Sequence, residues 1–299
     1  MSSQPLVSAV IIVYNGERFL VEAIRSVFAQ SYTEWELLLV DDGSTDRSSD
    51  IARDWAARYP ERVRYLEHSG HVNRGMSASR NLGIQQAHGV YVALLDADDV
   101  WVEHTLEEQV ALLEAHPDAA MVYGPLRWWH SWTGAPEDRD RDYVERLGVP
   151  ENTLIQPPRL LSRFLRDKAA VPSGLLVRRE SIARLGGFED EFRGEYEDQV
   201  FCSKICLNAP VFAAGRSWYW YRQHPDSCVT IGLQTGATTA ARLRFLEWVA
   251  AYLDQHPRPA PSVRRALRLE FWQFRRPRAF RLLRRADRLV GNILRFLEG

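Results

Sequence analysis

VSAVIIVYNGERFLVEAIRSVFAQSYTEWELLLVDDGSTD, residues 7–46, decides the fold. Val7–Val13 (VSAVIIV) is an unbroken, largely β-branched run, the pattern of a strand buried on both faces. In the next stretch, Glu17–Gln30, one helical face collects Phe19, Leu20, Ala23, Ile24, Val27 and Phe28. A second buried strand, Trp35–Val40 (WELLLV), stops at Asp41-Asp42-Gly43, and Ser44 and Thr45 can cap a helix running to about Tyr59. Outward from this unit the alternation continues. Val63–Leu66 reads as a strand, Ser77–Ala87 as a helix closed by Gly89, and Val90–Leu95 (VYVALL) as a strand ending at Asp96. Helix His104–His116 and strand Ala119–Tyr123 complete the series. Repeated βαβ units of this length predict an α/β fold with a mostly parallel sheet and helices on both faces.

Past Gly124 the pattern weakens. Arg127–Trp132 (RWWHSW) is aromatic, and Ala135–Asp142 reads as a polar loop. Strand Val171–Val177 and helix Arg179–Leu185 are followed by Gly186-Gly187 and an acidic stretch, Glu189–Asp198. A helix over Asp198–Asn208 and short strands at Val211–Ala214 and Trp218–Tyr221 come next, then a long helix, Ala237–Gln255. Pro257, Pro259 and Pro261 break the chain before two basic helices, about Val263–Phe274 and Arg278–Leu297. The expected division is one domain over residues 1–230 and a helical, arginine-rich extension over 231–299. No internal repeat interrupts this order.

The 299 residues are 45% hydrophobic and 26% charged, ordinary for a soluble globular protein. A net charge of -1 gives no reason to expect nucleic-acid binding. The charge is nevertheless uneven, because arginines crowd Arg258–Arg295 and interleave there with Trp272, Phe271, Phe274, Phe280 and leucines. Such helices suit either packing on an acidic body or peripheral attachment to an anionic membrane surface. Three cysteines, Cys202, Cys206 and Cys228, do not make a disulfide framework, which fits a reducing compartment. The N-terminus has no signal-peptide pattern, and no stretch approaches the roughly 18 apolar residues needed to span a bilayer. The expected location is cytoplasmic, with the inner face of the membrane as the place of any peripheral attachment.

Chemistry gathers at the strand ends. In an open parallel sheet a ligand lies beyond the carboxyl ends of the strands. Three of those ends carry notable groups: Tyr14-Asn15, Asp41-Asp42 and Asp96-Ala97-Asp98-Asp99. Carboxylates repel phosphate unless a divalent cation, Mn2+ or Mg2+, bridges the two. Asp96 and Asp98, two apart at a strand end, can both approach one ion. Singly, each aspartate also reads as a turn former or helix cap, as Asp42 does before Thr45. No GxGxxG follows the first strand and no GxxxxGK[ST] is present, so a nicotinamide-type domain and a P-loop are both disfavoured.

The order VSAVIIVYNGERFLVEAIRSVFAQSYTEWELLLVDDGSTD, NRGMSASRNLGI and YVALLDADD resembles the GT-A fold of family 2 glycosyltransferases, over about Val7 to Ser227. The resemblance implies a nucleotide-sugar donor, with Tyr14 and Asp42 contacting base and ribose. It implies a divalent cation on the diphosphate, held by the DxD-type element at Asp96, Asp98 and Asp99, with Asp98 favoured. Arg74 or Arg80 would approach the base or phosphates, a surface or salt-bridge role being the alternative for each. Glu197-Asp198 stands where the family places its general base; Asp198 is the expected base and Glu197 the fallback. His224, in YRQHPDS, matches an element that lies near the metal and diphosphate. Trp128, Trp129 and Trp132 fall where the acceptor side begins and can stack on a sugar or pack a core. The activity implied is inverting transfer of a hexose or N-acetylhexosamine, most plainly from a UDP-sugar, to a hydroxyl of a glycan or lipid-linked acceptor. The rivals are a nucleotidyltransferase, which would want a basic loop after the first strand, and a catalytically silent nucleotide-sugar-binding module, which would not need acids at both metal and base positions.

Overall fold

The structure, a computed structural model, describes residues 5–275. Strands β1 (Val7–Val13) and β2 (Trp35–Asp41) flank helix α1 (Leu20–Phe28) in sequence, and each strand is buried along nearly its whole length. Helix α2 (Ser48–Arg58), strand β3 (Val63–Glu67), helix α3 (Met76–Gln86) and strand β4 (Tyr91–Asp96) follow. The four strands pair in parallel in the order β3-β2-β1-β4. Their register sets Val13 opposite Asp41 and Ile12 opposite Asp96, so the polar strand ends reach one rim. Burial on both faces explains why these strands lack alternation: Val10, Leu38, Val40 and Val92 belong to one apolar cluster, and Ala9, Ile11, Leu37, Leu39 and Ala93 to the other.

The second half continues with β5 (Val100–Trp101), α4 (Thr105–Ala115), β6 (Met121–Gly124), β7 (Leu126–Trp129), α5 (Pro136–Arg139), β8 (Tyr143–Val144), β9 (Thr153–Ile155), α6 (Arg159–Phe164), β10 (Ser173–Arg178) and α7 (Arg179–Leu185). Then come α8 (Glu197–Asn208), β11 (Val211–Ala213), β12 (Tyr219–Arg222), α9 (Cys228–Thr235), α10 (Ala237–Gln255) and α11 (Pro261–Arg275). Among the described residues the large sheet has eight strands, ordered β3-β2-β1-β4-β10-β6-β11-β9. β10 runs antiparallel to both β4 and β6, and β9 antiparallel to β11. A smaller sheet, β5-β12-β7-β8, stands beyond the carboxyl ends of β4 and β6. The aromatic segment that the sequence left without an element is therefore partly a strand, β7, and the expected loop at 135–142 contains the short helix α5.

The C-terminal helices complete the core. Phe245, Leu246, Val249 and Leu253 of α10, with Val263, Ala266 and Leu267 of α11, lie in the same apolar cluster as Leu38 and Val40. The first expected basic helix thus turns its apolar face inward, while Arg264 pairs with Asp254 at 2.8 Å and Arg242 with Glu270 at 3.4 Å. The second, Arg278–Leu297, lies outside the described residues. Among the described residues no helix is long and apolar enough to cross a membrane.

Candidate functional site

The rim is organised by hydrogen bonds between its loops. Asn15, in left-handed backbone (φ 52°), donates its amide to Ser44 Oγ at 3.0 Å and accepts from the Thr45 amide at 2.7 Å. Asp41 is fully buried. Burial alone would raise its carboxyl, but bonds from the Ser49 and Ser44 hydroxyls, the Ser44 amide and the Tyr65 hydroxyl outweigh that and hold it below the ordinary range. Asp42, 4% exposed, accepts from the Arg74 amide at 2.7 Å and the Gly75 amide at 3.0 Å. Gly75 has φ +92° and a Cβ there would meet Arg193 at 2.8 Å, so this loop is built around a glycine. The Tyr14 side chain is 55% exposed beside this loop system, and the Arg74 side chain also faces solvent.

The aspartates after β4 divide by environment. Asp96 has a side chain 43% exposed and accepts from Arg80 Nη2 at 2.7 Å. Asp98, 35% exposed, sets Oδ2 3.0 Å from His224 Nε2. Asp99 turns inward: at 1% exposure it accepts the Arg222 amide at 2.7 Å, and its Oδ2 has no direct hydrogen-bond partner among the described residues. Burial, and then the charges of Asp98 and Asp96, push the Asp99 carboxyl well above the ordinary range. Below the loop lies a residue the sequence reading passed over. Arg222 is 3% exposed, donates Nε to the Asp98 carbonyl at 2.6 Å and Nη2 to Glu22 at 2.6 Å, and lies over Phe19 and Trp129. The only sequence signal was an arginine closing an apolar strand, YWYR, opposite three carboxylates that need a counter-charge.

The acid pair opens α8 behind Tyr196, whose φ of 74° turns the chain sharply into the helix. Glu197 is 5% exposed and accepts from Arg80 Nη1 at 2.5 Å. Burial raises its carboxyl to about 7 against the opposing pull of Arg80. Asp198 is half-buried, its carboxylate accepts the Gln199 amide of its own helix at 2.7 Å, and it is likewise raised, by burial first. Arg80, expected at base or phosphate, has both terminal nitrogens engaged by carboxylates of the protein.

The three tryptophans are half-buried in and beside the small sheet. Trp132 donates to the Gln223 carbonyl at 2.8 Å, meets Phe19 edge-on at 5.4 Å, and carries the Arg18 and Arg222 guanidinium groups at 5.1 and 5.2 Å from its ring. Trp129 meets Trp220 edge-on, and Trp128 stacks on the exposed ring of Tyr143. Of the three, Trp128 is the one stacked on an exposed ring. A cavity of about 690 Å³ lies beside the start of α8, lined by Tyr196, Gln199, Arg242 and Lys168 among others.

The residues present fit a hard divalent cation. Ligands at neighbouring octahedral positions with ~2.1 Å bonds stand about 3 Å apart, which is the separation of Asp98 Oδ2 and His224 Nε2, 3.0 Å. Asp96 shares the same exposed loop, whereas inward-facing Asp99 is poorly placed to join them. Among the described residues, Asp96 is not drawn within 4.8 Å of both Asp98 and His224; the trio whose ligating atoms all lie that close to one another is a different one, Asp41, Glu67 and His71. Its atoms are bonded among themselves and to Tyr65 and Ser44, so it reads as a hydrogen-bond network.

Known proteins share this architecture. S. aureus TarS, residues 1–349, in complex with UDP-GlcNAc, superposes with a TM-score of 0.64 at 18% identity, covering 87% of this chain and 70% of that one. The mannosyltransferase PcManGT from Pyrobaculum calidifontis, in complex with GDP-Man and Mn2+, gives 0.61 at 20% identity, covering 90% and 70%. In sequence, the Bacillus subtilis protein EpsE, a glycosyltransferase by name, is 43% identical over 116 residues, 39% of this chain and 41% of its own length. The chain thus matches less than half of that relative. The profile described as Glycosyl transferase family 2 matches residues 8–186, more than half of the chain, and with the GT-A fold already in place the chain belongs to that family.

Proposed function

We propose that the protein transfers a sugar from a nucleotide-sugar donor to an acceptor hydroxyl, with inversion and with the help of a divalent cation. The observation that carries this reading is the meeting of two unlike carboxylate sets at one rim. A half-exposed pair, Asp96 and Asp98 with His224, stands beside a second pair, buried Glu197 and half-buried Asp198. Tyr14 and the loop held by Asp42 form the nucleoside end, and Asp98, His224 and Asp96 would hold the cation. Bound there, the cation would neutralise charge on the departing diphosphate. Asp198 is assigned as base: it accepts the acceptor's proton as that oxygen attacks the anomeric carbon from the face opposite the leaving group. Glu197 is the poorer base because it is buried and bonded to Arg80.

The donor is proposed to be a UDP-hexose or UDP-N-acetylhexosamine, and the acceptor a glycan or lipid-linked saccharide. Polysaccharide synthesis at the inner face of the cell envelope would suit both. The arginine-rich tail is proposed to bring the enzyme to anionic lipid there. The test is release of nucleoside diphosphate from UDP-GlcNAc, UDP-glucose and GDP-mannose, each with and without Mn2+. Metal-dependent release from at least one is expected. Binding of all three without any release, across metals, would leave a silent binding module instead.

A further inference from the structure

Arg80 is the one described residue that joins the two carboxylate sets. It leaves α3 at the helix's inner face, is 6% exposed, and lies with its guanidinium carbon 5.4 Å from the Phe188 ring centroid. One arm of its fork meets Asp96 at the end of β4, and the other meets Glu197, 117 residues away in sequence, at the start of α8. Among the described residues, neither carboxylate has another ion-pair partner. The groups around Glu197 are otherwise negative or neutral. Asp198 adjoins it on α8, Asp96 faces it from β4, the Cys202 thiol lies further along α8, and the Cys228 thiol at the start of α9 feels Glu197 first and Glu195 next. An acid pair this recessed, with no positive charge nearby, would keep a proton well above neutral pH.

We propose that Arg80 is a positioning residue coupling the donor rim to the proton-accepting pair. Its one guanidinium, shared between Asp96 and Glu197, holds the start of α8 against the aspartate loop and supplies the positive charge that favours the ionised form of the pair. This inference rests on the assignment of the pair as the base. A further consequence is that anything drawing Asp96 away, as a cation–diphosphate ligand would, leaves Arg80 to Glu197 alone. Donor binding then favours the proton-accepting form of the pair.

The experiment is the pH profile of kcat and of kcat/KM for the wild type, Arg80→Gln, Arg80→Lys and Asp96→Asn. Removing an opposite charge at 4–6 Å moves a carboxyl by ~1–3 pH units. Arg80→Gln should therefore raise the acid limb by about that much, with donor KM changing far less than kcat and activity recovering at alkaline pH. Arg80→Lys should return part of the shift, since it keeps the charge and loses the fork. In kcat/KM, which reports the free enzyme, Asp96→Asn should move the limb the other way, because it removes a negative charge and leaves Arg80 to Glu197. A limb fixed at the wild-type pH with kcat uniformly lowered would make Arg80 merely structural. A raised donor KM at unchanged kcat would make it a donor ligand. Either result overturns the proposal, and if Arg80→Gln does not fold, Arg80→Lys and Asp96→Asn still decide it by their signs. A carbon-13 carboxyl titration of the unliganded proteins reads the same shifts without turnover. Shifts there, in a protein that never releases nucleotide, would keep the coupling and discard the transferase reading.

Discussion

Glu197 and Asp198 are neighbours in sequence with different surroundings, and their variants should separate. Asp198→Asn is expected to cut turnover by roughly 10²–10⁴-fold, the range for losing an acid–base group, with donor affinity little changed. If Glu197→Gln alone produced that pattern, the assignment within the pair would be reversed. Asp98→Asn should abolish transfer and weaken Mn2+-dependent nucleotide binding in a calorimetric titration, while the fold survives. Unchanged activity at saturating donor and metal would remove Asp98 from the site. Glu197 also links stability to pH. Its folded value, about 7, lies above the ordinary 4.5, so the folded state holds the proton more tightly than the unfolded chain. The associated stability is complete below the ordinary value and is lost as pH rises toward 7. Melting temperature should therefore fall over that interval in the wild type, and fall less in Glu197→Gln.

Elements read from the sequence differ in how much they disclosed. β1, β2 and β4 were legible because burial on both faces leaves an apolar run that few other structures tolerate, and their polar ends were legible because a buried strand cannot end in aspartate except at a rim. The antiparallel course of β10 was not legible, since Val171–Val177 has the same composition whichever way it runs. Asp99 and Asp98 were indistinguishable as letters; only the return of β12, which presents the Arg222 amide to Asp99, turns one inward. Arg80 gave no sign that its partners would be Asp96 and Glu197, because that contact joins distant segments. Helix α3 also contains a close approach that makes a prediction. A Cβ at Gly83 would stand 2.5 Å from Val10 Cγ1 and 3.1 Å from Val40 Cγ2. Alanine ordinarily favours a helix over glycine by about 1 kcal/mol, but overpacking of this kind costs ~1–3 kcal/mol. Gly83→Ala should lower the melting temperature, and adding Val10→Ala should restore part of it. A rise in the single variant would mean that α3 shifts freely on the sheet.

For the whole molecule, the C-terminal helices carry a warning for experiments on membrane attachment. Val263 and Leu267 of α11 are buried at 0% and 4% exposure. Burying a valine or leucine contributes ~1.5–3 kcal/mol each, against a total stability of about 5–15 kcal/mol. Truncation before Arg258 should therefore unfold or aggregate the protein, as light scattering would show, whatever the tail does at a membrane. Ending the chain after Arg275 is the cleaner design. The full chain should then pellet with anionic vesicles at low salt and the shortened one should not; equal pelleting would refute a tail-borne attachment. The position of β10 matters in another way, during synthesis. It lies between β4 and β6 but leaves the ribosome after both, and β11, the other neighbour of β6, is later still. Until about residue 178 has emerged, β4 has an open edge and the apolar run Met121–Tyr123 has no strand on either side. A nascent chain with an unpaired edge and a waiting apolar strand is prone to stick to its neighbours. Translation speed through residues 125–178, and chaperone supply during that interval, should govern how much of this protein reaches its native state.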